Sequence, residues 1–377
     1  MMTSSHASST VADGRSVDRG ASPATGSGRD PSSLRARFAP SSVYLDTPTY
    51  GLAADTVVDA MRDGLDRWQR GEARPADYDL AVDRSRQLFA ELVGVAPRQV
   101  AVANQVSVLV GTVAASLPDG AHVVTVDRDF TSVLFPLMSQ QHRGVTVETV
   151  PLEALADAID DRTDLVACSH AQSADGRLVD LDAVTDAATA HDARVLLDGT
   201  QSVGWLPIDT NQVDYLVVGA YKWLLSPRGT AFLAVGTDRI ETLRPVAPGW
   251  YAGEDVWSSI YGPKMRLAQD ARRADVSPAW LCWLGTAAAL ALISEVGIER
   301  IHDHDVGLAS RVRAELGLAE TGSAIVSIPA GGDLDLSAQG IIAAQRAGSL
   351  RVGCHLYNDD EDVSALLEAL AGQGARS

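Results

Sequence analysis

A chain of 377 residues that is 46% hydrophobic carries enough apolar side chain for one large domain and a smaller one. Its formal net charge of −18, from 31 basic and 49 acidic residues, repels the polyanionic surfaces of nucleic acids and acidic membranes, so small molecules and other proteins are the expected partners. Three cysteines, Cys168, Cys282 and Cys354, show no metal-ligand spacing and argue against a disulfide framework or a metal site.

A reducing, cytoplasmic setting is therefore expected. No uninterrupted apolar run reaches membrane-spanning length, and the N-terminus lacks the basic-then-apolar order of a signal peptide, so no membrane partner is expected.

Residues 1–37 are rich in Ser, Gly, Ala and Arg and read as a disordered tail, because they hold too little apolar surface to offset ordering entropy. Order is expected from Ser42-Val43-Tyr44-Leu45, followed by the turn-rich Asp46-Thr47-Pro48-Thr49-Tyr50-Gly51. Helical periodicity marks 56–71 and 81–94, then a short buried strand at 99–103 leads into a helix at 106–117. A strand at 122–126, a helix near 131–142, strands at 145–150 and 164–168 and a helix at 181–192 follow. Strands at 194–198, 214–218 and 230–235 bring the total to seven. Short β-branched runs separated by amphipathic helices predict an α/β domain over 56–245, built on a mostly parallel seven-stranded sheet covered on both faces. Past it come a Trp- and Gly-rich loop, helices at 278–296 and 298–316 and short strands, so 246–377 with 38–55 reads as a smaller α+β domain.

In such a sheet, ligands sit outside the carboxyl ends of the strands, and four groups fall there. The chain contains only two lysines, Lys222 and Lys264, its other basic residues being arginine. A lysine amine can lose its proton and attack an aldehyde, which a guanidinium does not do. Lys222 lies just beyond a buried strand in Tyr221-Lys222-Trp223, although retention by chance on a solvated loop would look the same. Asp198 ends the neighbouring strand, with Gln201 three residues on; a carboxylate at such a turn serves equally well as a helix N-cap. Asn104-Gln105-Val106-Ser107 is a strand-to-helix turn whose free N–H groups attract an anion, though it lacks the usual glycine. Phe130 follows another strand end, where a lone Phe is more often core. Together these groups match what pyridoxal 5'-phosphate (PLP) requires: an amine for its aldehyde, an acid for its ring nitrogen, a flat contact and an anion site.

The order Asp198-x-x-Gln201, Tyr221-Lys222-Trp223 and Pro227-Arg228-Gly229 resembles fold-type I PLP enzymes of the class V aminotransferase and cysteine desulfurase-like group, from about Tyr44 to Leu370. The resemblance implies that Lys222 is the catalytic Schiff-base residue, Asp198 the pyridinium partner, Gln201 the phenolate contact and Phe130 the stacking residue. It places Val106, Ser107 and Tyr221 at the phosphate, and likens Trp250-Tyr251 to the aromatic pair of kynureninase. Ser277 falls where a partner subunit reaches the phosphate, which implies a homodimer with shared active sites. In the stretch Gly348-Ser349-Leu350-Arg351, the arginine pairs with the α-carboxylate of an amino-acid substrate in the family, although a surface salt bridge would use the same residue. Thr49, Tyr50 and Tyr251 are further substrate-side candidates, because the Asp46–Gly51 turn enters the family's active site.

A desulfurase needs a mobile cysteine before Arg351, and the stretch from Gly322 to Leu350 contains none. The chain is similar instead to the cysteine S-conjugate processing enzymes of ergothioneine and lincosamide biosynthesis. That likeness implies a carbon–sulfur β-lyase in which Lys222 removes the Cα proton and a thiolate leaves Cβ, ending in pyruvate and ammonia. Decarboxylating oxidative deamination and ordinary transamination would use the same residues.

Overall fold

The computed structural model describes residues 31–329 and 334–374. In chain order its elements are β1 (Val43–Tyr44), α1 (Asp55–Gln69), α2 (Pro75–Leu92), β2 (Val100–Ala103), α3 (Val106–Ser116), β3 (His122–Val126), α4 (Thr131–Met138) and β4 (Thr146–Val150). There follow β5 (Leu165–Ser169), α5 (Leu181–Ala190), β6 (Arg194–Asp198), β7 (Tyr215–Gly219), β8 (Ala231–Val235), α6 (Trp280–Val296) and α7 (Ile298–Glu315). The chain closes with β9 (Ile325–Pro329), β10 (Ile341–Ile342), β11 (Ala344–Arg346), β12 (Ser349–Gly353) and α8 (Asp360–Gly374).

The seven expected strands form one sheet in the order β2-β8-β7-β6-β5-β3-β4. Only β8 runs against its neighbours, so β2 and β7 point the same way on either side of it. Except in the exposed edge strand β4, alternate residues of the strands enter two separate cores: Val100, Val124, Val166, Leu197 and Leu216 face one side, and Ala101, Val123, Leu165, Leu196 and Tyr215 the other. Burial on both faces explains why these strands read as near-continuous apolar runs.

Three differences from the sequence-based expectation have local causes. First, α2 begins at Pro75, six residues early: Pro at a first-turn position needs no N–H partner, and the Asp77 carboxylate accepts from the Arg74 N–H at 3.3 Å. Second, the helix expected to run to 142 stops at Met138, after Pro136, and tightens into a 3-10 turn over Ser139–Arg143 that closes at Gly144 with φ 80°. Third, the tail expected to be disordered through 37 ends sooner. Pro31–Arg37 form a 3-10 helix, Leu34 is buried, and Arg35 donates to Asp362 at 2.6 Å. Residues 1–30 lie outside the described residues.

A further difference concerns α6, expected in the second domain. It packs on the large sheet and on α1 and α2: Trp283 meets Phe232 of β8 edge to face at 5.4 Å, and Trp280 stacks on Tyr78 at 5.1 Å. A helix apolar on nearly every side is a core helix, and the large core is where such a surface is buried. The smaller layer is the antiparallel sheet β11-β12-β9 with α7 and α8 against it, sharing a core that includes Leu308, Val326, Leu350 and Leu366. Among the described residues no single helix is long and apolar enough to cross a membrane.

Candidate active site

The carboxyl ends of β2, β3, β5, β6 and β7 open into a cavity of about 400 Å³, whose lining includes Asn104, Val106, Phe130, Asp198, Gln201 and Lys222. The sheet therefore gathers residues more than a hundred positions apart in the chain, as the direction of its strands requires.

Lys222 sits three residues past β7 and is 5% exposed. Its Nζ lies 5.3 Å from the centre of the Phe130 ring and 5.7 Å from that of Tyr221, and makes no hydrogen bond among the described residues. Burial pushes its pKa down to about 8; the nearby Arg351, Arg346 and Arg228 act the same way, while Asp198 opposes them. Gly51 makes this placement possible. A Cβ there would come within 2.2 Å of the Lys222 carbonyl oxygen, so only glycine lets the Asp46–Gly51 turn press against the lysine's backbone.

A buried amine without a hydrogen-bond partner is the group an aldehyde cofactor calls for. Only the neutral amine attacks an aldehyde, and below the pKa its fraction grows tenfold per pH unit. Capture of PLP by the cofactor-free chain is therefore expected to accelerate about tenfold per pH unit up to about pH 8 and then level off. The rise of visible absorbance in rapid mixing at a series of pH values checks this.

Asp198, the last residue of β6, is 4% exposed, and burial raises its carboxyl to about 6 against the opposing pull of Thr200. The Thr200 N–H donates to Asp198 Oδ1 at 2.9 Å, and the Thr200 hydroxyl accepts from the Gly219 N–H at 2.9 Å. One threonine thus ties the strand end bearing the acid to the one leading to the amine. Phe130 is held similarly: Asp129 accepts from the Phe130 N–H at 2.6 Å and from the Ser169 N–H at 2.7 Å, joining the end of β3 to that of β5. Asn104, Gln105 and Val106 enter the lining at the start of α3, where backbone N–H groups are unpaired. Tyr221 also lines the cavity, with the Arg228 guanidinium 5.2 Å from its ring centre. These groups suit PLP by type: amine, buried acid, aromatic face and anion-attracting helix start.

Gln201 and Arg351 are placed differently from the expectation. Gln201 lines the cavity, but its amide is occupied within the protein: Nε2 donates to the Pro48 carbonyl at 2.9 Å and to Ser173 Oγ at 3.0 Å, and Oε1 accepts from Trp223 Nε1 at 2.9 Å. Arg351 is 1% exposed and sits behind the lining, donating to the Ser173 carbonyl and, at 2.7 Å, to Thr49 Oγ1. Asp46 Oδ1 lies 3.7 Å from Arg351 Nη2, and burial raises the Asp46 carboxyl above its ordinary value while Thr49 and both neighbouring arginines oppose the shift.

The remaining candidates are not in the lining. Ser107 is half-buried in the first turn of α3, Ser277 is exposed, and Tyr50 is 45% exposed with its ring 6.1 Å from that of Tyr221. Tyr251 turns inward, its hydroxyl donating to Asp79 of α2 at 3.0 Å, and Trp250 packs against it edge to face. Conversely, the sequence reading gave no role to Asp129, Ser173, Thr200 or Arg228. Thr200 and Arg228 stand inside motifs already singled out, but their partners are distant in the chain.

The aminotransferase class-V family model matches residues 43–330. The uncharacterized aminotransferase YcbU of Bacillus subtilis is 29% identical over 313 residues, covering 77% of this chain and 83% of that protein. A probable cysteine desulfurase of Methanothermobacter thermautotrophicus is 24% identical over 393 residues, covering 88% and 95%. Among solved structures, the cystine C-S lyase C-DES in complex with cysteine persulfide superposes with a TM-score of 0.80 at 21% identity, covering 88% of this chain and 97% of its own. The chain therefore belongs to the class-V aminotransferase family and is a PLP-dependent enzyme of fold-type I.

Proposed function

We propose that the protein is a carbon–sulfur β-lyase that cleaves a cysteine S-conjugate into a thiol, pyruvate and ammonia. The observation that carries this reading is that no cysteine stands as a sulfur carrier beside the cavity that holds Lys222 and Asp198. No cysteine lines the cavity; Cys168 and Cys354 are buried, with their thiols pushed up by desolvation. Cys282 is half-buried, with Sγ donating to the Arg228 carbonyl at 3.4 Å. A cysteine that accepts sulfur must reach the substrate as a thiolate, and these do not.

In this reading Lys222 would hold the cofactor covalently, Asp198 would serve its ring nitrogen, Phe130 would give it an aromatic contact, and Asn104, Gln105 and Val106 with Tyr221 would receive the phosphate. When bound, PLP supplies the electron sink for the pair left when a bond at Cα breaks. Arg351, which lies behind the lining and donates to Ser173 and Thr49, would pair with the substrate carboxylate by exchanging those partners for it. Once the substrate's own amine has displaced it, the Lys222 amine, whose burial lowers its pKa and enlarges its neutral fraction, would take the Cα proton at Nζ and return it to the departing sulfur. The Cβ–S bond breaks with both electrons on sulfur, and water converts the three-carbon remainder to pyruvate and ammonia. The same reading includes a homodimer with shared active sites, in which Ser277 approaches the partner's site. Tyr261 at 92% exposure and Met265 at 73%, on the same stretch of chain, support a covered face there.

Incubating the PLP-loaded enzyme with S-alkyl cysteines and identifying products by mass tests the proposal. Pyruvate with free thiol is expected. Carbon dioxide with an aldehyde would replace this reading by oxidative decarboxylation, and pyridoxamine phosphate with a keto acid by transamination.

A further inference from the structure

The hairpin that carries Arg351 ends in a second guanidinium. β11 and β12 pair antiparallel with Ala344 opposite Arg351, and the connecting Ala347 and Gly348 both have positive φ, 49° and 82°, the backbone of a tight two-residue turn. Opposed residues share a face of the sheet, and so do residues two apart along a strand. Arg346 therefore projects from the same face as Arg351. Its Nη2 lies 3.4 Å from Thr49 Oγ1, the hydroxyl that accepts from Arg351 Nη2 at 2.7 Å. Two guanidiniums thus converge on one hydroxyl at the edge of the site.

Their surroundings differ. Arg351 is enclosed, its two Nη groups engaged by Ser173 and Thr49, with Asp46 beside it. Arg346 is exposed, forms no ion pair among the described residues, and is close enough to depress the pKa of both Lys222 and Arg351. It is an exposed cation near Lys222 that shares the field of the Asp46 carboxylate with Arg351 but makes no ion pair with it, on a protein with net charge −18. A planar two-pronged donor in that position suits a second carboxylate.

We propose that Arg346 determines specificity by binding a carboxylate on the substrate's side chain, so that the enzyme prefers cysteine S-conjugates whose sulfur substituent is itself an acid. The cysteine scaffold in this statement rests on the lyase reading; the charge preference does not.

S-carboxymethyl-L-cysteine and S-carbamoylmethyl-L-cysteine have nearly the same shape and differ in charge, so their comparison isolates Arg346. Binding to the PLP-loaded enzyme is read from the change in visible absorbance, and pyruvate is measured separately. The wild-type enzyme is expected to bind the acid about tenfold or more tightly than the amide. Arg346→Gln, at an exposed site that leaves thermal stability unchanged, is expected to erase that ratio while leaving amide binding as it was.

Equal affinities in the wild type, or a ratio that survives Arg346→Gln, overturns the proposal. So does equal weakening of both ligands, which would place Arg346 on the α-carboxylate instead. If the acid preference holds and neither compound yields pyruvate, the lyase reading fails and the role of Arg346 stands.

Discussion

Lys222→Ala is expected to lower turnover of a cysteine S-conjugate by about 10⁴-fold or more and to remove the enzyme's visible absorbance, while the chain remains folded. The substitution deletes the amine that the cavity surrounds with Phe130 and Tyr221, and no second lysine is available there, since Lys264 lies outside the lining. It also removes a charge that burial already disfavours, so the fold should be unharmed or slightly stabilised. Turnover and an absorbance titration with added PLP, made on the same preparation, check both parts. Full activity in the variant would remove the basis for the site described above.

The second large effect is expected in a pair of fully buried residues behind the lysine. His355 Nδ1 lies 2.8 Å from Asp305 Oδ2, and both side chains have no solvent exposure. Among the described residues neither His355 Nδ1 nor either Asp305 carboxylate oxygen has a hydrogen-bond partner. On its other side His355 Nε2 donates to the Trp223 carbonyl at 3.0 Å, next to Lys222, and the Trp223 indole donates to Gln201. His355→Ala would strand the Asp305 carboxylate inside the protein, and losing one partner of a buried pair costs about 3–5 kcal/mol. The double variant His355→Ala/Asp305→Ala is expected to be less destabilised than His355→Ala alone, because the uncompensated carboxylate goes with it. Denaturant unfolding of the two single variants and the double variant measures the coupling. A double variant as unstable as the sum of the singles would show that the pair contributes through packing alone.

How much of this was legible in the chain depends on how local the cause is. The seven strands lie within a residue or two of where they are predicted, six of them because a strand buried on both faces is written in consecutive apolar residues, and the exposed edge strand β4 through its β-branched Thr146-Val147 and Thr149-Val150. Lys222 and Asp198 were legible because strand ends in a parallel sheet point at the ligand, whatever lies between them. Helix α6 was misplaced because an apolar helix states that it is buried and not against what; its partners Phe232 and Tyr78 lie tens to hundreds of residues upstream. The inward turn of Tyr251 was equally invisible, since it depends on Asp79 of another helix.

By itself, then, the sequence determined the order of chemical groups along the strands, the amine and the acid at neighbouring strand ends, and the absence of a cysteine between Gly322 and Leu350. The tertiary structure alone decided how those groups are shared out. It showed that the Gln201 amide is held by Pro48, Ser173 and Trp223, that Arg351 is enclosed while Arg346 stays exposed, and that Thr200 and Asp129 tie neighbouring strand ends together. The physical reason is that a hydrogen-bonding group has few donors and acceptors, and which neighbour claims them depends on segments brought together only by folding.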